Sequence, residues 1–134
     1  MKIGIVLHPH NEDKPTGLGR FIKELTENLL LTGENDEFLL FSKNKPSKKV
    51  LFPGNNWKFF SGSGNRLWLD TVLRKNPKAD IYIFNTPIMP LFYRPKRSIV
   101  IALDFAYVHL PSRSFITWIK SKFLFYYHKF SLNK

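Results

Sequence analysis

The polar residues best suited to bind or transform a ligand follow two apolar runs of the sequence. Asp104 comes directly after the run 99–103, and Asn85 and Thr86 come directly after the run 80–84. Where such runs are parallel strands, their carboxyl ends meet at one edge of the sheet, which is where α/β proteins bind ligands. Asp104 is therefore a candidate catalytic residue. The alternative is that its carboxylate caps the segment that follows.

Two histidines belong to the same edge in this interpretation, His8 and His109. His109 stands between two apolar residues, so a packed loop histidine is the alternative to a proton-transferring one. His8 and His10 have no carboxylates at metal-site spacing beyond Glu12 and Asp13, and the chain has no cysteine, so we expect no metal. The sequence also lacks a nucleophile elbow, a pair of catalytic carboxylates and an HExxH motif.

The turn Gly17-Leu18-Gly19-Arg20 is a further candidate binding element. Its two glycines permit close backbone approach to a ligand and a positive φ, and a helix start presents free N–H groups. It is not a dinucleotide fingerprint, because Ile22 occupies the position of the third glycine and the preceding loop is far too long. A ligand-binding loop and a plain helix-entry turn are the two interpretations of this motif.

Alternating strand-like and helix-like segments must position these residues. The apolar runs predict strands at 3–7, 38–41, 57–60, 80–84 and 99–103, and helical spacing predicts helices at 18–33, at 66–75 and from 114 onward. Because the strand runs are apolar throughout, we expect a Rossmann-like, doubly wound, mainly parallel sheet with helices on both faces. The chain ends directly after a helix, so we expect one domain, residues 1–134, that is incomplete at its C-terminus.

The charge of the chain is strongly positive and unevenly distributed. The formal net charge is +11, seven of the ten acids precede residue 38, and 17 of the 21 lysines and arginines follow it. Such a field favours anionic partners, among them phospholipid, a nucleotide or phosphosugar, and nucleic acid. Solvated basic faces explain the same pattern. Only the positive charge favours a nucleic-acid partner, and the sequence contains no recognition helix or stacking platform. We therefore expect no nucleic-acid partner.

The last segment, 115–130, is aromatic and basic and contains no acid. Aromatic residues beside lysines suit the headgroup region of a bilayer, and the candidate membrane or partner contacts are Trp118, Lys120, Lys122 and Lys129. A core helix whose covering partner is missing explains the same residues. No apolar run reaches the roughly 20 residues that span a bilayer, and the chain starts with a strand-like run rather than a secretory signal. We therefore expect a cytoplasmic location, peripheral at the inner face of the membrane.

The order of these motifs resembles the N-terminal domain of retaining GT-B glycosyltransferases of family 4, also called group 1. That family has a Gly-(Ile/Leu)-Gly-(Arg/Lys) turn leading into its first helix, matched here by Gly17-Leu18-Gly19-Arg20. It next has an Asp-strand-Asn/Ser-Pro segment, matched by Asp80–Pro87 and followed by Pro90-Leu91. Its third block is a strand ending in His-Asp, an aromatic loop, a proline and a basic, Tyr-rich helix, which residues 99–129 resemble. The likeness extends over nearly the whole chain.

The resemblance implies an acceptor-side domain that closes over a nucleotide-sugar held by a second Rossmann-like domain. It implies a nucleotide-sugar donor, a glycan or lipid-linked acceptor, no metal and no other cofactor, in the synthesis of cell-envelope or capsular polysaccharide or of glycolipid. The two glycines would approach the donor phosphates, with the arginine nearby. The donor- and acceptor-binding residues that it implies are Gly17, Leu18, Gly19, Arg20, Asn85, Thr86 and His109.

Two departures from the family pattern bear on activity. The family histidine before Asp104 is Leu103 here, and leucine can neither donate a hydrogen bond nor carry a proton. The donor-binding half is absent from the 134 residues, so we expect the chain alone to be inactive and a separate donor-domain chain to be a partner. A non-catalytic module that docks on an anionic membrane or on a partner glycosyltransferase is the alternative function.

Overall fold

The computed structural model describes residues 1–8, 17–43, 52–62, 67–86 and 88–101, together with the helical positions 123, 126 and 129. The elements in these ranges are β1 (Lys2–Val6), α1 (Gly17–Thr32), β2 (Glu37–Ser42), β3 (Trp57–Ser61), α2 (Trp68–Lys75), β4 (Ile81–Phe84) and β5 (Ser98–Val100). Each apolar run that predicted a strand overlaps one of these strands.

The strands form one sheet in the order β3-β2-β1-β4-β5, and every neighbouring pair is parallel. Ile3 in β1 is aligned with Phe38 in β2 on one side and with Ile81 in β4 on the other. The expected Rossmann-like α/β class with a parallel sheet is confirmed. The chain winds outward from β1 to β3 and then returns to place β4 beside β1, so the strand order reverses between β1 and β4.

Two apolar clusters bury alternate positions of the same strands. Ile22 and Leu30 of α1 pack in one cluster with Ile5 of β1 and Leu40 of β2. The second cluster holds α2 residues and the intervening strand positions, namely Val6, Leu39, Phe41, Trp68, Leu69, Val72, Leu73, Tyr82, Phe84 and Met89. Because side chains alternate between the two faces of a strand, this arrangement explains why the runs are apolar along their whole length.

A close approach between β1 and β4 depends on Gly4. A Cβ atom at Gly4 would lie 2.6 Å from Cδ1 of Tyr82, which is fully buried. The Tyr82 ring therefore occupies the space that any larger residue at position 4 would need. Its hydroxyl group accepts the N–H of Ala79 and is hydrogen-bonded to the Tyr93 hydroxyl at 3.1 Å.

The connections fix the direction of α1 relative to the sheet. Its last residue, Thr32, is followed within a few residues by the start of β2, so α1 ends at the amino edge of the sheet. There the Asn56 side chain donates to the carbonyl oxygens of Leu30 and Gly33 and satisfies the end of the helix. Sixteen residues of helix rise about 24 Å, which places Gly17 toward the carboxyl edge. None of the helices in the described ranges is long and apolar enough to cross a bilayer.

Candidate ligand site at the carboxyl edge

Asn85 links the carboxyl ends of β1 and β4 at the place where the strand order reverses. It follows β4 directly, and its Nδ2 donates to the carbonyl oxygen of Val6, the last residue of β1, at 2.8 Å. The residue is 1 % exposed. In open α/β sheets the crevice at such a reversal is the usual ligand position. The structure therefore places Asn85, which the sequence singled out, at the position where this fold binds ligands.

The other amide atom of Asn85 has no partner. Its Oδ1 is buried and accepts no hydrogen bond within the described part of the chain. Nearly all buried polar groups in folded proteins are hydrogen-bonded, and an orphan calls for an explanation. Asn85 Oδ1 is one of three buried side-chain polar atoms without a partner in the described ranges, and it is the one that lies at the strand-order reversal. Thr86, the next residue, is only half-buried and lies at the same edge.

The glycine motif lies within the first turn of α1 and does not precede it. Gly17 is the first helical residue, and the only glycine of the described ranges with a positive φ is Gly54. The two glycines permit a positive φ, but α1 does not use it, since a right-handed helix requires a negative φ at both. A Cβ atom at Gly17 would meet no heavy atom of the described residues within 4 Å, so within the described part of the chain the start of the helix borders open space.

The electrostatics at the start of α1 are favourable for an anion. No acidic residue lies in the first turn of α1, whose start carries the positive end of the helix dipole. Arg20 is exposed in this turn and adds a full positive charge, whereas Gly19 is buried and Leu18 is half-buried. Gly17 and Arg20 are therefore the members of the motif that solvent or a ligand reaches most readily.

His8 lies at the same edge, two residues after β1. Its ring meets the ring of Trp68, the first residue of α2, edge to face at 5.7 Å between centroids. For His109 the sequence left open whether the side chain is packed or transfers protons. The structure shows packing of this kind for His8, against Trp68. Among the described residues no three His, Cys, Asp or Glu side chains are grouped so as to hold a metal ion.

The remaining predicted site residues fall mostly outside the described ranges. Those outside are Leu103, Asp104, His109, Trp118, Lys120 and Lys122. Lys129 is exposed at a helical position, and the aromatic residues one and two turns before it, Tyr126 and Phe123, are 64 % and 70 % exposed. Residues three apart on a helix are neighbours, so Tyr126 lies between Phe123 and Lys129 on the helix surface.

Asp70 is a buried charged residue that sequence analysis missed. It is 6 % exposed, and its carboxylate accepts three backbone N–H groups, from Leu91 at 2.9 Å, Phe92 at 2.7 Å and Tyr93 at 2.8 Å. One side chain of α2 thereby fixes the segment that follows β4. The signal was present in the sequence, since Asp70 lies on the apolar face of α2 one turn before Leu73.

The amino edge of the sheet carries a depression of about 290 Å³, far from the candidate site. Glu37 lines it and is paired with Lys58 at 2.8 Å and with Lys2 at 3.4 Å. Hydrogen bonds from Lys58 and then from Lys2 hold the pKa of Glu37 below its ordinary value. Buried Asn56 Oδ1 and Trp57 Nε1 there have no partner in the described ranges. With carboxylates at its rim, this depression does not suit a phosphorylated ligand.

Comparison of the chain with protein-family models, with curated proteins and with solved structures found no match. The family resemblance therefore rests on the order of motifs in the sequence and on the strand order, and it is carried forward as a proposal.

Proposed function

We propose that this chain is the acceptor-side half of a retaining, nucleotide-sugar-dependent glycosyltransferase of the GT-B type. The observation that carries the proposal is the position of Asn85, buried and with an unpaired oxygen, at the strand-order reversal between β1 and β4. The start of α1, with no acid in its first turn, lies toward the same edge. Both features come from the motifs that match the family.

The strand order adds support at the level of the fold. The order β3-β2-β1-β4-β5 is that of the classic dinucleotide-type sheet, which supports a doubly wound arrangement. In such folds an anionic group sits at a helix N-terminus beside the reversal. The proposal assigns the donor diphosphate to the start of α1 near Gly17 and Arg20, and the sugar or acceptor hydroxyls to the edge at Asn85 and Thr86.

Each side chain has a defined part in this scheme. Asn85 is a positioning residue, because its hydrogen bond to Val6 holds the ends of β1 and β4 together. Gly17 leaves room for a phosphate group, since nothing lies within 4 Å of its missing Cβ. Asp104 is the proposed catalytic carboxylate, and Leu103 stands where the family has a histidine, so a completed cleft would lack that proton carrier. A second domain or chain would supply the donor-binding wall and close the cleft.

The experiment is a titration of the purified chain with a panel of nucleotide-sugars, followed by amide chemical shifts in two-dimensional NMR. We expect saturable shifts at residues 17–20 and 85–86 with one member of the panel. Gly17→Val fills the open space at the helix start and should weaken this binding about tenfold or more. Leu31→Ser is the matched control, because Leu31 is 58 % exposed near the opposite end of the same helix.

Two results would contradict the proposal. One is the absence of saturable shifts with every member of the panel. The other is binding that Gly17→Val leaves unchanged while shifts appear only at the amino edge, around Glu37 and Lys58.

A further inference from the structure

A cluster of exposed cations surrounds two exposed apolar side chains on α2 and the segment after β4. We call it the basic–apolar surface and define it by Arg74, Lys78, Leu91, Phe92, Arg94 and Lys96. Phe92 is 64 % exposed and Leu91 is 38 % exposed, whereas the four cations are all exposed. None of these residues belongs to the candidate ligand site or to the terminal segment that the sequence suggested for docking.

Asp70 of α2 holds in place the apolar tip of this surface, which consists of Leu91 and Phe92. Asp70 accepts the backbone N–H groups of both Leu91 and Phe92, at 2.9 and 2.7 Å. The hydrogen bonds to the Asp70 carboxylate offset the cost of burying it, and they hold the backbone of Leu91 and Phe92 in place. Because the backbone is already ordered, an occupant of this surface does not have to order it on binding.

Direct contacts make the surface continuous. The Arg74 guanidinium carbon lies 5.9 Å from the centre of the Phe92 ring. The Lys78 ammonium lies 4.7 Å from the centre of the Tyr93 ring and donates to the carbonyl oxygen of Arg74 at 3.0 Å. Arg94 follows Tyr93 directly. Arg74 and Lys78 therefore lie beside the segment 91–94, and Arg94 and Lys96 are exposed within or close to that segment.

Opposing charge is nearly absent from this part of the chain. Residues 71–101 contain six lysines and arginines and a single acid, Asp80. Asp80 accepts the backbone N–H of Lys2 at 2.7 Å, at the start of β1. Burial and a hydrogen bond to Tyr82 raise the pKa of Tyr93, so its phenol stays neutral at physiological pH. The surface is thus positive throughout and projects two apolar side chains from its centre.

We propose that the basic–apolar surface docks the protein on a bilayer that contains anionic phospholipid. Leu91 and Phe92 enter the region between headgroups and acyl chains, and the surrounding cations pair with lipid phosphates. Nucleic acid fits less well, since it would stack on Phe92 but offers an exposed leucine no apolar environment. The proposal does not depend on the proposed sugar transfer.

The test is co-sedimentation of the full chain with phosphatidylcholine vesicles with and without phosphatidylglycerol. We expect binding only to the anionic vesicles and its loss between ~0.1 and ~1 M salt. Phe92→Ser should lower the partition coefficient about tenfold, and the double variant Arg94→Gln, Lys96→Gln should lower it about 25-fold. Leu31→Ser and Lys23→Gln, which remove an exposed leucine and an exposed lysine of α1, should leave binding within about twofold.

Three outcomes would overturn the proposal. The first is equal binding of the wild type and Phe92→Ser to anionic vesicles. The second is loss of binding in Phe123→Ser, Lys129→Gln but not in the variants of residues 92–96, which would assign docking to the terminal helix. The third is a pair of results with a fluorescent RNA oligonucleotide. The RNA displaces the protein from vesicles, and Phe92→Ser binds the RNA as tightly as the wild type does. Circular dichroism of each variant confirms that it is folded before binding is compared.

Discussion

Replacing Asp70 should destabilise the protein more than replacing any exposed acid. Asp70→Ala leaves three backbone N–H groups, those of Leu91, Phe92 and Tyr93, without their acceptor. Hydrogen bonds to a charged group contribute about 1.5–3 kcal/mol each. Removing the buried carboxylate also relieves its desolvation, and the freed segment can rehydrate, since Leu91 and Phe92 are exposed. We therefore expect a loss of about 3–5 kcal/mol, the range seen when one member of a buried charged interaction is removed.

Asp70→Asn removes the charge of the side chain but nearly keeps its shape, so it separates the contribution of the charge from that of the geometry. In the wild type Oδ1 accepts from Phe92 and Tyr93, and Oδ2 accepts from Leu91. An asparagine can keep one oxygen for the first two amides but must turn an NH₂ group toward the third. We expect about half the loss of the alanine variant, roughly 2 kcal/mol.

Urea unfolding, followed by tryptophan fluorescence and circular dichroism, measures both values. Asp80→Ala is the matched control, because this exposed aspartate accepts a single backbone N–H, from Lys2, and its loss should be about 1 kcal/mol. A change below about 1 kcal/mol in Asp70→Ala would refute the view that this carboxylate fixes the segment after β4. So would equal effects of Asp70→Ala and Asp80→Ala.

Three further predictions concern the sheet and its edges. Gly4→Ala should destabilise the protein by about 1–3 kcal/mol, because the new Cβ would lie 2.6 Å from the Tyr82 ring. In the same urea titration Gly17→Ala should stabilise the protein by about 0.5–1 kcal/mol, because its Cβ meets no atom of the described residues within 4 Å. Asn85→Leu should destabilise by about 1–2 kcal/mol, since it removes the bond between β4 and β1; a stabilised variant would contradict the positioning role. The lowered pKa of Glu37 supplies stability that is present above its unfolded pKa and is lost as pH falls through the folded pKa. Glu37→Gln should therefore flatten the acid side of a stability-against-pH profile, and an unchanged profile would show that its two lysine partners contribute nothing.

Local patterns were sufficient to predict the elements of the fold but not their arrangement. The run at 38–41 predicts a buried strand because its residues are apolar without alternation, and β2 covers it. That β4 returns to pair with β1, while β2 and β3 lie on the other side, depends on contacts between distant residues. The composition of the apolar runs does not indicate which strands become neighbours in the sheet.

In the candidate site, too, local patterns predicted where residues lie along the chain, whereas their contacts depend on distant residues. Asn85 was predicted at the carboxyl edge from its place after an apolar run, but its bond to Val6 and its unpaired Oδ1 depend on the packing of two strands. Gly17 was singled out because glycine permits close approach of a ligand and a positive φ, and the structure makes it the first residue of α1, where φ is negative. Asp70 was missed because its hydrogen-bond donors, three backbone N–H groups, lie more than 20 residues away along the chain.

Photoaffinity labelling with a photoreactive nucleotide-sugar tests the central proposal most directly, because it maps the ligand onto the chain by mass spectrometry. The proposal predicts labelled peptides that contain residues 17–20 or 85–86, with labelling suppressed by excess unmodified nucleotide-sugar and reduced in Gly17→Val. Labelling confined to the amino edge, around Glu37 and Lys58, or to the segment 91–97, would contradict it.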